Sequence, residues 1–451
     1  MKKRTQLLRE KDKNFLWHPF TQMKEWQDSQ PLVIESGKGA VLRDTEGREY
    51  VDGVGSLWCN VHGHRRDEID RAIRRQLGKV AHTTLLGAAN IPSTLLAEKL
   101  ASLAPGNLTR VFYSDSGSTA VEIALKIAYQ YWQQKGRPRK KRFVALENAY
   151  HGDTLGAVSV GGIDLFHKIY HPLLFKCFRA PSPSCYRCSL GKTRKTCNLD
   201  CAEELGIVLS EHAEEIAAVI VEPLVQGAAG ILTAAPQYLR RVRQLCTQHD
   251  ILLIADEVAA GIGRSGRLFA CEHERVVPDL LCIGKGLSGG YLPLAATLAT
   301  NNIFRAFLGE HTEYKTFFHG HTFTGNPLAC AAALACLDIF EKEETLRNLT
   351  PKIKHIAFRL QRMRKLPHVG DVRQCGMIAG IELVKNKRTK EPFPSEDKIG
   401  VKVTQGAREE GVLLRPLGDV IVICPPLSIT IDQIDQIVDA IEKHILAVLQ
   451  Q

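Results

Sequence analysis

The feature that most constrains the fold is an alternation of short apolar segments and amphipathic segments between about residues 67 and 340. The pattern predicts strands and helices in turn, namely strands at 110–113, 217–221, 251–255 and 280–283 and helices at 119–134 and 236–249. Strand–helix–strand alternation is typical of a sheet whose strands run mostly parallel, with helices on both faces. The sequence therefore predicts an α/β domain with a doubly wound sheet.

The segments on either side of this region have different patterns. Residues 33–53 alternate apolar and polar positions between turn residues, which predicts a small antiparallel meander. After residue 340 the chain is first helical and charged, and then alternates strands and helices to its end. We predict an N-terminal segment over 1–66, a large domain over 67–345 and a smaller α/β unit over 346–451.

Composition excludes several functional classes. With 44% hydrophobic and 24% charged residues, the chain of 451 residues can bury a sizeable core. The net charge of +10 is spread along the sequence and forms no dense basic stripe, which argues against a nucleic-acid partner. No apolar run reaches the roughly 18 residues of a membrane span, and the N-terminus lacks the apolar core of a secretory signal. We therefore expect a cytoplasmic protein without membrane contact.

The sequence contains thirteen cysteines, most of them single residues in apolar stretches, which predicts buried thiols in a reducing compartment. Four others, Cys185, Cys188, Cys197 and Cys201, lie in an irregular stretch over 180–201 that we predict to be a surface excursion. Their spacing resembles a zinc knuckle, but free thiols and local disulfides are alternatives. A metal bound there would have a structural role in the surface loop and no role in catalysis.

A run of small polar residues follows the first predicted strand of the large domain. In SDSGSTAVEIALK, residues 114–126, these residues are Ser116, Gly117, Ser118 and Thr119 at the start of a predicted helix. Backbone N–H groups and hydroxyls at a helix N-terminus can bind a phosphate. The alternative is that the hydroxyls only cap the helix.

Two charged motifs follow later strands. Asp256 and Glu257 end a strand that is otherwise apolar, and Lys285 follows the next strand between Gly284 and Gly286. Each charge alone could belong to a simple salt bridge. Because ligands of parallel sheets bind beyond the carboxyl ends of the strands, the two charges and the phosphate motif are expected to meet. A lysine, a buried carboxylate and a phosphate cup together suit pyridoxal 5′-phosphate.

A dinucleotide-dependent oxidoreductase is the rival enzyme class, because it would also have a doubly wound sheet. No predicted strand is followed by a convincing G-x-G-x-x-G with an acidic residue about 20 positions later, which argues against it.

Several ordered motifs resemble those of class III aminotransferases of fold type I. They are SDSGSTAVEIALK, YHGDTLGAVSV, IVEPLVQGAAG, ILLIADEVAAGIGRSG, CIGKGLSGGYLP and HGHTFTGNPLACAAAL. The resemblance covers nearly the whole chain. It implies a large cofactor-binding domain, a smaller domain built from both termini, pyridoxal 5′-phosphate as cofactor, and an obligate homodimer with shared sites.

The resemblance also implies roles for individual residues at the cofactor. Lys285 would form the Schiff base, Asp256 would hold the pyridine nitrogen, and Gly117 with Ser118 would bind the phosphate. Tyr150 would stack on the cofactor ring, where an ordinary half-buried aromatic is the alternative. His151 and Gly152 would shape the turn after Tyr150.

Other implied roles concern the substrate and the second subunit. Thr322, beside Gly320 and His321, would reach the phosphate from the partner chain. Arg415 would receive a substrate carboxylate, although a surface arginine before a turn proline is the local alternative. Trp58 would line the substrate pocket.

Two N-terminal segments, WHPFTQMKEW and DGVGSLWCNVHGH, resemble the branch of the class that acts in biotin biosynthesis. The resemblance implies transfer of an amino group to 8-amino-7-oxononanoate, with S-adenosylmethionine as the expected donor. The sequence departs from the common pattern in having Phe20 where many members have tyrosine, Leu57 before Trp58 instead of a double tryptophan, and His321 instead of proline. These departures resemble members that use lysine, so lysine and another ω-amino-acid aminotransferase activity are the alternatives.

Overall fold

The computed structural model describes residues 2–449, so Met1, Gln450 and Gln451 of the two predicted terminal segments lie outside the described residues. Its strands are β1 (Ile34–Lys38), β2 (Val41–Asp44), β3 (Glu49–Asp52), β4 (Arg110–Ser114), β5 (Arg142–Leu146), β6 (Phe178–Ala180), β7 (Ile216–Val221), β8 (Val225–Gln226), β9 (Leu232–Thr233), β10 (Leu252–Asp256), β11 (Leu280–Ile283), β12 (Ala295–Ala299), β13 (Val369–Cys375), β14 (Ile378–Leu383), β15 (Val412–Leu413), β16 (Arg415–Leu417) and β17 (Val420–Ile423).

Its α-helices are α1 (Lys2–Phe15), α2 (Met23–Asp28), α3 (Gly55–Trp58), α4 (Asp67–Leu77), α5 (Ile91–Leu103), α6 (Gly117–Gln134), α7 (Leu155–Ser159), α8 (Asp164–His167), α9 (Asp200–Glu211), α10 (Tyr238–Gln248), α11 (Asn301–Arg305), α12 (Pro327–Lys342), α13 (Thr345–Met363), α14 (Ile399–Glu409) and α15 (Ile431–Leu449). No helix within residues 2–449 is both long and apolar enough to cross a membrane.

The predicted α/β sheet is confirmed and has seven strands in the order β4-β12-β11-β10-β7-β5-β6. Strands β11, β10, β7, β5 and β6 pair in parallel, whereas β12 pairs antiparallel with both β11 and β4. Every residue of β7, β10 and β11 is buried, which explains why these strands are continuous apolar runs. Helix α6 packs on one face of the sheet through its apolar side.

The predicted meander is confirmed as β1, β2 and β3, which pair antiparallel. A strand from the other end of the chain joins it, because Val412 of β15 pairs in parallel with Val51 of β3. A second antiparallel sheet has the order β13-β14-β17-β16. Helices α4 and α13 begin at residues 67 and 345, close to the boundaries that we predict. The domain limits themselves stay predictions.

The segment over 181–199 is irregular, as predicted, and packs against the C-terminal sheet. Arg187 Nε donates to Glu382 of β14 at 2.7 Å, and Lys390 Nζ donates to the carbonyl of Tyr186 at 2.6 Å. Burial and the nearby Cys197 and Cys185 raise the pKa of Cys201 to about 11.

The four clustered cysteines are free thiols in the structure, which gives no support to local disulfides. Across residues 2–449, no group of three or more His, Cys, Asp or Glu side chains is arranged to hold a metal ion. The zinc-knuckle hypothesis therefore has no geometric support.

Candidate active site

The register of the large sheet brings the predicted charged residues to one edge. Val221 at the end of β7 pairs with Ala255, and Asp256 at the end of β10 pairs with Cys282 of β11. Because these three strands are parallel, the residues that follow them share the same edge of the sheet.

Lys285 follows β11 in a short 3₁₀ turn and is half-buried. Its φ of 39° is unusual for a non-glycine residue, and such strain is common at functional sites. Its Nζ lies 5.5 Å from the centroid of the Trp58 ring. Burial lowers the pKa of the Lys285 amine, while the carboxylates of Asp256 and Glu222 oppose that shift. The lysine is therefore closer to its neutral, nucleophilic form than an exposed lysine.

Asp256 is held in place by two contacts. Its Oδ1 accepts the N–H of Val258 at 3.0 Å, and its Oδ2 lies 2.7 Å from Nδ1 of His151. The His151 side chain is fully buried, and its Nε2 has no hydrogen-bond partner among the described residues. The sequence analysis assigned His151 only to a turn, so its contact with the carboxylate is a finding of the structure.

The predicted phosphate cup lies at the N-terminus of α6. Ser116 and Thr119 form a reciprocal cap, since the N–H of each residue donates to the hydroxyl of the other. The capping alternative is thus correct for these two residues, and Gly117 and Ser118 remain for an anion. A Cβ on Gly117 would lie 2.4 Å from Cγ1 of Val258, so only glycine fits there.

These residues surround one cavity of about 170 Å³. Its lining includes Trp58, Ser116, Gly117, Ser118, Tyr150, His151, Gly152, Glu222, Asp256 and Lys285. A helix N-terminus suits a phosphate, a buried carboxylate suits a pyridinium nitrogen, and an amine with a lowered pKa suits an aldehyde. The donor set therefore fits pyridoxal 5′-phosphate.

A second cavity of about 120 Å³ shares Trp58, Tyr150, Ala228 and Lys285 with the first. Its remaining lining is Phe20, Leu57, Phe166, Arg415, Leu417 and Val422. The ring of Phe166 meets those of Phe20 at 5.4 Å and Tyr150 at 6.3 Å, each edge to face. The second cavity is thus an apolar chamber with one guanidinium, which suits a long apolar carboxylic acid.

Gly320, His321 and Thr322 line neither cavity of the single chain. Nδ1 of His321 lies 2.9 Å from the carboxylate of Asp115, and Thr322 is exposed. No atom lies within 4 Å of a Cβ placed on Gly320. The other predicted cofactor-binding and substrate-binding residues line one or both cavities, whereas these three lie apart from them.

Glu222 and Phe166 are site residues that the sequence analysis missed. Glu222 accepts the N–H groups of Tyr150 at 3.0 Å and Gly227 at 2.9 Å, and burial raises its pKa to about 7. It follows a wholly apolar strand, which is the signal that identified Asp256, so it could have been found. Phe166 lies in a segment without any such signal.

Comparison with known proteins identifies the family. The model of aminotransferase class III matches residues 22–445. Adenosylmethionine-8-amino-7-oxononanoate aminotransferase of Geobacter sulfurreducens is 55% identical over 98% of this chain and 98% of its own.

Solved structures agree with this result. The crystal structure of the enzyme of that name from Methanocaldococcus jannaschii has a TM-score of 0.94 and 47% identity, covering 98% of this chain and 99% of the other. A PLP-bound amine transaminase from an uncultivated Pseudomonas species has a TM-score of 0.91 and 37% identity, covering 96% and 98%. The fold is that of the fold type I transaminases, and the cofactor is pyridoxal 5′-phosphate. The chain belongs to the class III aminotransferases.

Proposed function

We propose that this aminotransferase converts 8-amino-7-oxononanoate to 7,8-diaminononanoate in biotin biosynthesis. The observation that carries the proposal is full-length identity of 55% to a relative that bears the name of this reaction. The apolar second cavity supports it, because a keto acid with a long hydrocarbon chain needs such walls. Arg415 is the residue proposed to bind the carboxylate, through the bidentate geometry of its guanidinium.

The proposed catalytic residues are Lys285 and Asp256. Pyridoxal 5′-phosphate, when bound, carries the amino group between substrates and withdraws electrons from the reacting carbon. Lys285 Nζ would accept the proton from the donor carbon and return it to the acceptor carbon, a task favoured by its lowered pKa. Asp256, braced by His151, would keep the pyridine nitrogen protonated. Gly117 and Ser118 would hold the phosphate, and Tyr150 would cover the ring.

We further propose an obligate homodimer with shared sites. His321 and Thr322 are expected to complete the phosphate site of the partner, and Gly320 its substrate site. Supporting observations are the exposure of Thr322 and of large aromatic residues beside it, with Phe318 75% and Phe323 57% exposed. Free thiols throughout the chain support a reducing compartment such as the cytoplasm.

S-adenosylmethionine is the proposed amino donor and lysine is the second candidate. The names of the curated relatives support the first. Phe20 in the second cavity keeps lysine as the second candidate, because its ring offers no hydroxyl to either substrate and so departs from the common pattern.

The test is a donor and acceptor screen with purified holoenzyme. Each donor is varied from far below to above its half-saturating concentration with 8-amino-7-oxononanoate, and diaminononanoate is quantified by mass spectrometry, with Lys285→Ala as the inactive control. We expect product with S-adenosylmethionine at a higher specificity constant than with lysine. A lysine preference of about tenfold, roughly 1.4 kcal/mol, would overturn the donor. Faster transfer to a simple keto acid such as pyruvate would overturn the acceptor.

A further inference from the structure

The four residues of the short element α3 adopt an unusual conformation. Gly55, Ser56, Leu57 and Trp58 have φ angles of 52°, 50°, 74° and 69°, so four consecutive residues lie in the left-handed region. Residues with a side chain are sterically strained there and rarely occur in a row. Gly55 is required, because a Cβ at this position would lie 2.8 Å from Arg264 and 2.9 Å from the carbonyl of Cys424. The other three must be held by their surroundings.

The buried carboxylate of Asp52, at the end of β3, holds this left-handed turn. Its Oδ1 accepts the N–H groups of Val54 at 3.3 Å and Ser56 at 3.1 Å, and its Oδ2 accepts the Ser56 hydroxyl at 2.9 Å. Burial opposes ionisation, but the hydrogen bonds from His64 and Ser56 outweigh it and lower the pKa of Asp52. The carboxylate is therefore charged at neutral pH and is a strong acceptor.

A second contact fixes the carboxylate itself. His64 Nε2 lies 3.0 Å from Oδ2 of Asp52, and His64 Nδ1 lies 3.0 Å from the amide nitrogen of Asn60. The Asn60 oxygen accepts the N–H of Gly63, so its amide nitrogen must be the group that faces His64. His64 is therefore the tautomer that donates from Nε2 to Asp52. These contacts hold the Asp52 carboxylate against the turn.

The turn ends at Trp58, whose ring is a shared wall of both cavities. The ring centroid lies 5.5 Å from Lys285 Nζ, and a Cβ on Gly227 would lie 3.0 Å from the ring. A small change in the backbone at residues 56–58 would thus move the indole relative to the reacting amine.

We propose that Asp52 is a positioning residue that holds the strained turn and thereby aims Trp58 at the substrate chamber. The part of this proposal that concerns the keto acid rests on the proposed function. The effect of Asp52 on the KM for the keto acid is therefore tested together with a measurement that needs no substrate.

Kinetics form the first measurement. Asp52→Asn places an amide N–H₂ where hydroxyl and imidazole donors need an acceptor, so we expect the KM for 8-amino-7-oxononanoate to rise about tenfold, as one charged hydrogen bond would predict. The kcat should fall less than the KM rises. The matched control is Asp44→Asn, since Asp44 is also buried and accepts the N–H groups of Glu46 and Arg48 at 2.9 Å each in a turn that lines neither cavity. It should leave the KM unchanged.

Substitutions at exposed Ser56 keep the test valid if Asp52→Asn folds poorly. Ser56→Ala loses one hydrogen bond to Asp52 and should raise the KM slightly. Glycine adopts the left-handed conformation without strain, so Ser56→Gly should leave the KM near its original value. Added to Asp52→Asn, Ser56→Gly should restore most of the lost affinity.

The second measurement is ¹⁹F NMR of the apoenzyme labelled with 5-fluorotryptophan, in which Trp58→Phe identifies the Trp58 resonance. Asp52→Asn should shift or broaden that resonance and leave those of the other three tryptophans unchanged. Ser56→Gly should restore it. An unchanged Trp58 resonance, or an equal KM rise in Asp44→Asn, would overturn the inference. If the native enzyme does not turn over the keto acid, the proposed function fails while the NMR result still decides the role of Asp52.

Discussion

At the scale of single residues, the contacts of Asp256 predict that replacing one of its carboxylate oxygens by an amide nitrogen greatly lowers turnover. Asp256→Asn keeps the size of the side chain but cannot stabilise a protonated pyridine nitrogen opposite His151. We expect turnover to fall on the order of a thousandfold, comparable to the loss of one preorganised electrostatic contact, with looser cofactor binding. Single-turnover kinetics and cofactor titration measure the two effects.

Asp279→Asn is the matched control for Asp256→Asn. Asp279 precedes β11 at the opposite edge of the same sheet, where it accepts from Leu253 at 2.7 Å and from Arg243 at 2.6 Å. Its loss should affect stability but not turnover. Full activity in Asp256→Asn would remove Asp256 from the mechanism.

Phe20 is the proposed substrate-binding residue that differs from the tyrosine of the resembled pattern. Phe20→Tyr should add about one hydrogen bond to the bound keto acid, roughly 1 kcal/mol, and lower its half-saturating concentration about five- to tenfold. Steady-state kinetics with each donor checks this expectation. The control is Phe15→Tyr, because Phe15 is 82% exposed and lines neither cavity. Equal concentrations in native enzyme and Phe20→Tyr would show that the hydroxyl has no role.

At the scale of elements, His62 connects the loop after α3 to helix α12. Its Nε2 donates to the carbonyl of Cys336 at 2.9 Å, and its ring packs edge to face on Phe340. Burial lowers the pKa of His62 to about 4, and the bond to Cys336 opposes the shift only in part. The unfolded chain, whose histidine has a pKa of 6.5, therefore binds more protons between pH 6.5 and 4, and stability falls as the pH drops through that window.

His62→Gln tests this linkage because glutamine can donate to Cys336 but does not titrate. The free energy of unfolding of the native protein should fall by about 2 kcal/mol more than that of the variant between pH 7 and pH 5. Urea unfolding of the apoenzyme at both pH values gives the two differences. Parallel losses in both proteins would show that His62 does not contribute.

The elements also show how much could be predicted from the sequence. The strands of the large sheet follow from continuous apolar runs, and observed β11 coincides with the predicted 280–283. Lys285 and Asp256 are predictable because a charged side chain at the end of a buried strand is costly unless it has a partner or a functional role. The left-handed turn at Gly55–Trp58 leaves no pattern in the sequence, because it depends on Asp52 and on a histidine twelve residues away. Phe166 joins the site through the tertiary packing of its ring against Phe20 and Tyr150, which no local sequence pattern predicts.

At the scale of the whole molecule, the two cavities are built from distant parts of the chain. Phe20 and Trp58 come from the N-terminal segment, Lys285 from the large sheet and Arg415 from β16 near the C-terminus. The pairing of β15 with β3 ties both terminal segments together beside this chamber. Thr322, like its neighbours Gly320 and His321, is a predicted site residue that this arrangement leaves outside both cavities. Its placement in the partner's site is therefore the prediction that only the assembled dimer can test.

Complementation between two defective chains tests that placement. Thr322→Asp should repel the phosphate and empty the site that it completes, whereas Lys285→Ala disables the site of its own chain. If Thr322 acts across the interface, a hybrid dimer of the two variants has one site with both defects and one intact site, and should recover about half of the native activity per dimer. Cofactor absorbance should show one functional site per hybrid.

The matched control replaces Thr322→Asp by Thr350→Asp, since Thr350 is an exposed threonine on α13 that lines neither cavity. The homodimer of that variant should have native activity, and its hybrid with Lys285→Ala should have about half of it. If Thr322 instead served the site of its own chain, each site of the hybrid would carry one defect. One site would contain the altered residue 322 beside an intact Lys285, and the other would contain Lys285→Ala beside an intact Thr322. A hybrid without recovered activity, from chains that sedimentation shows to be dimeric, would thus overturn the shared site.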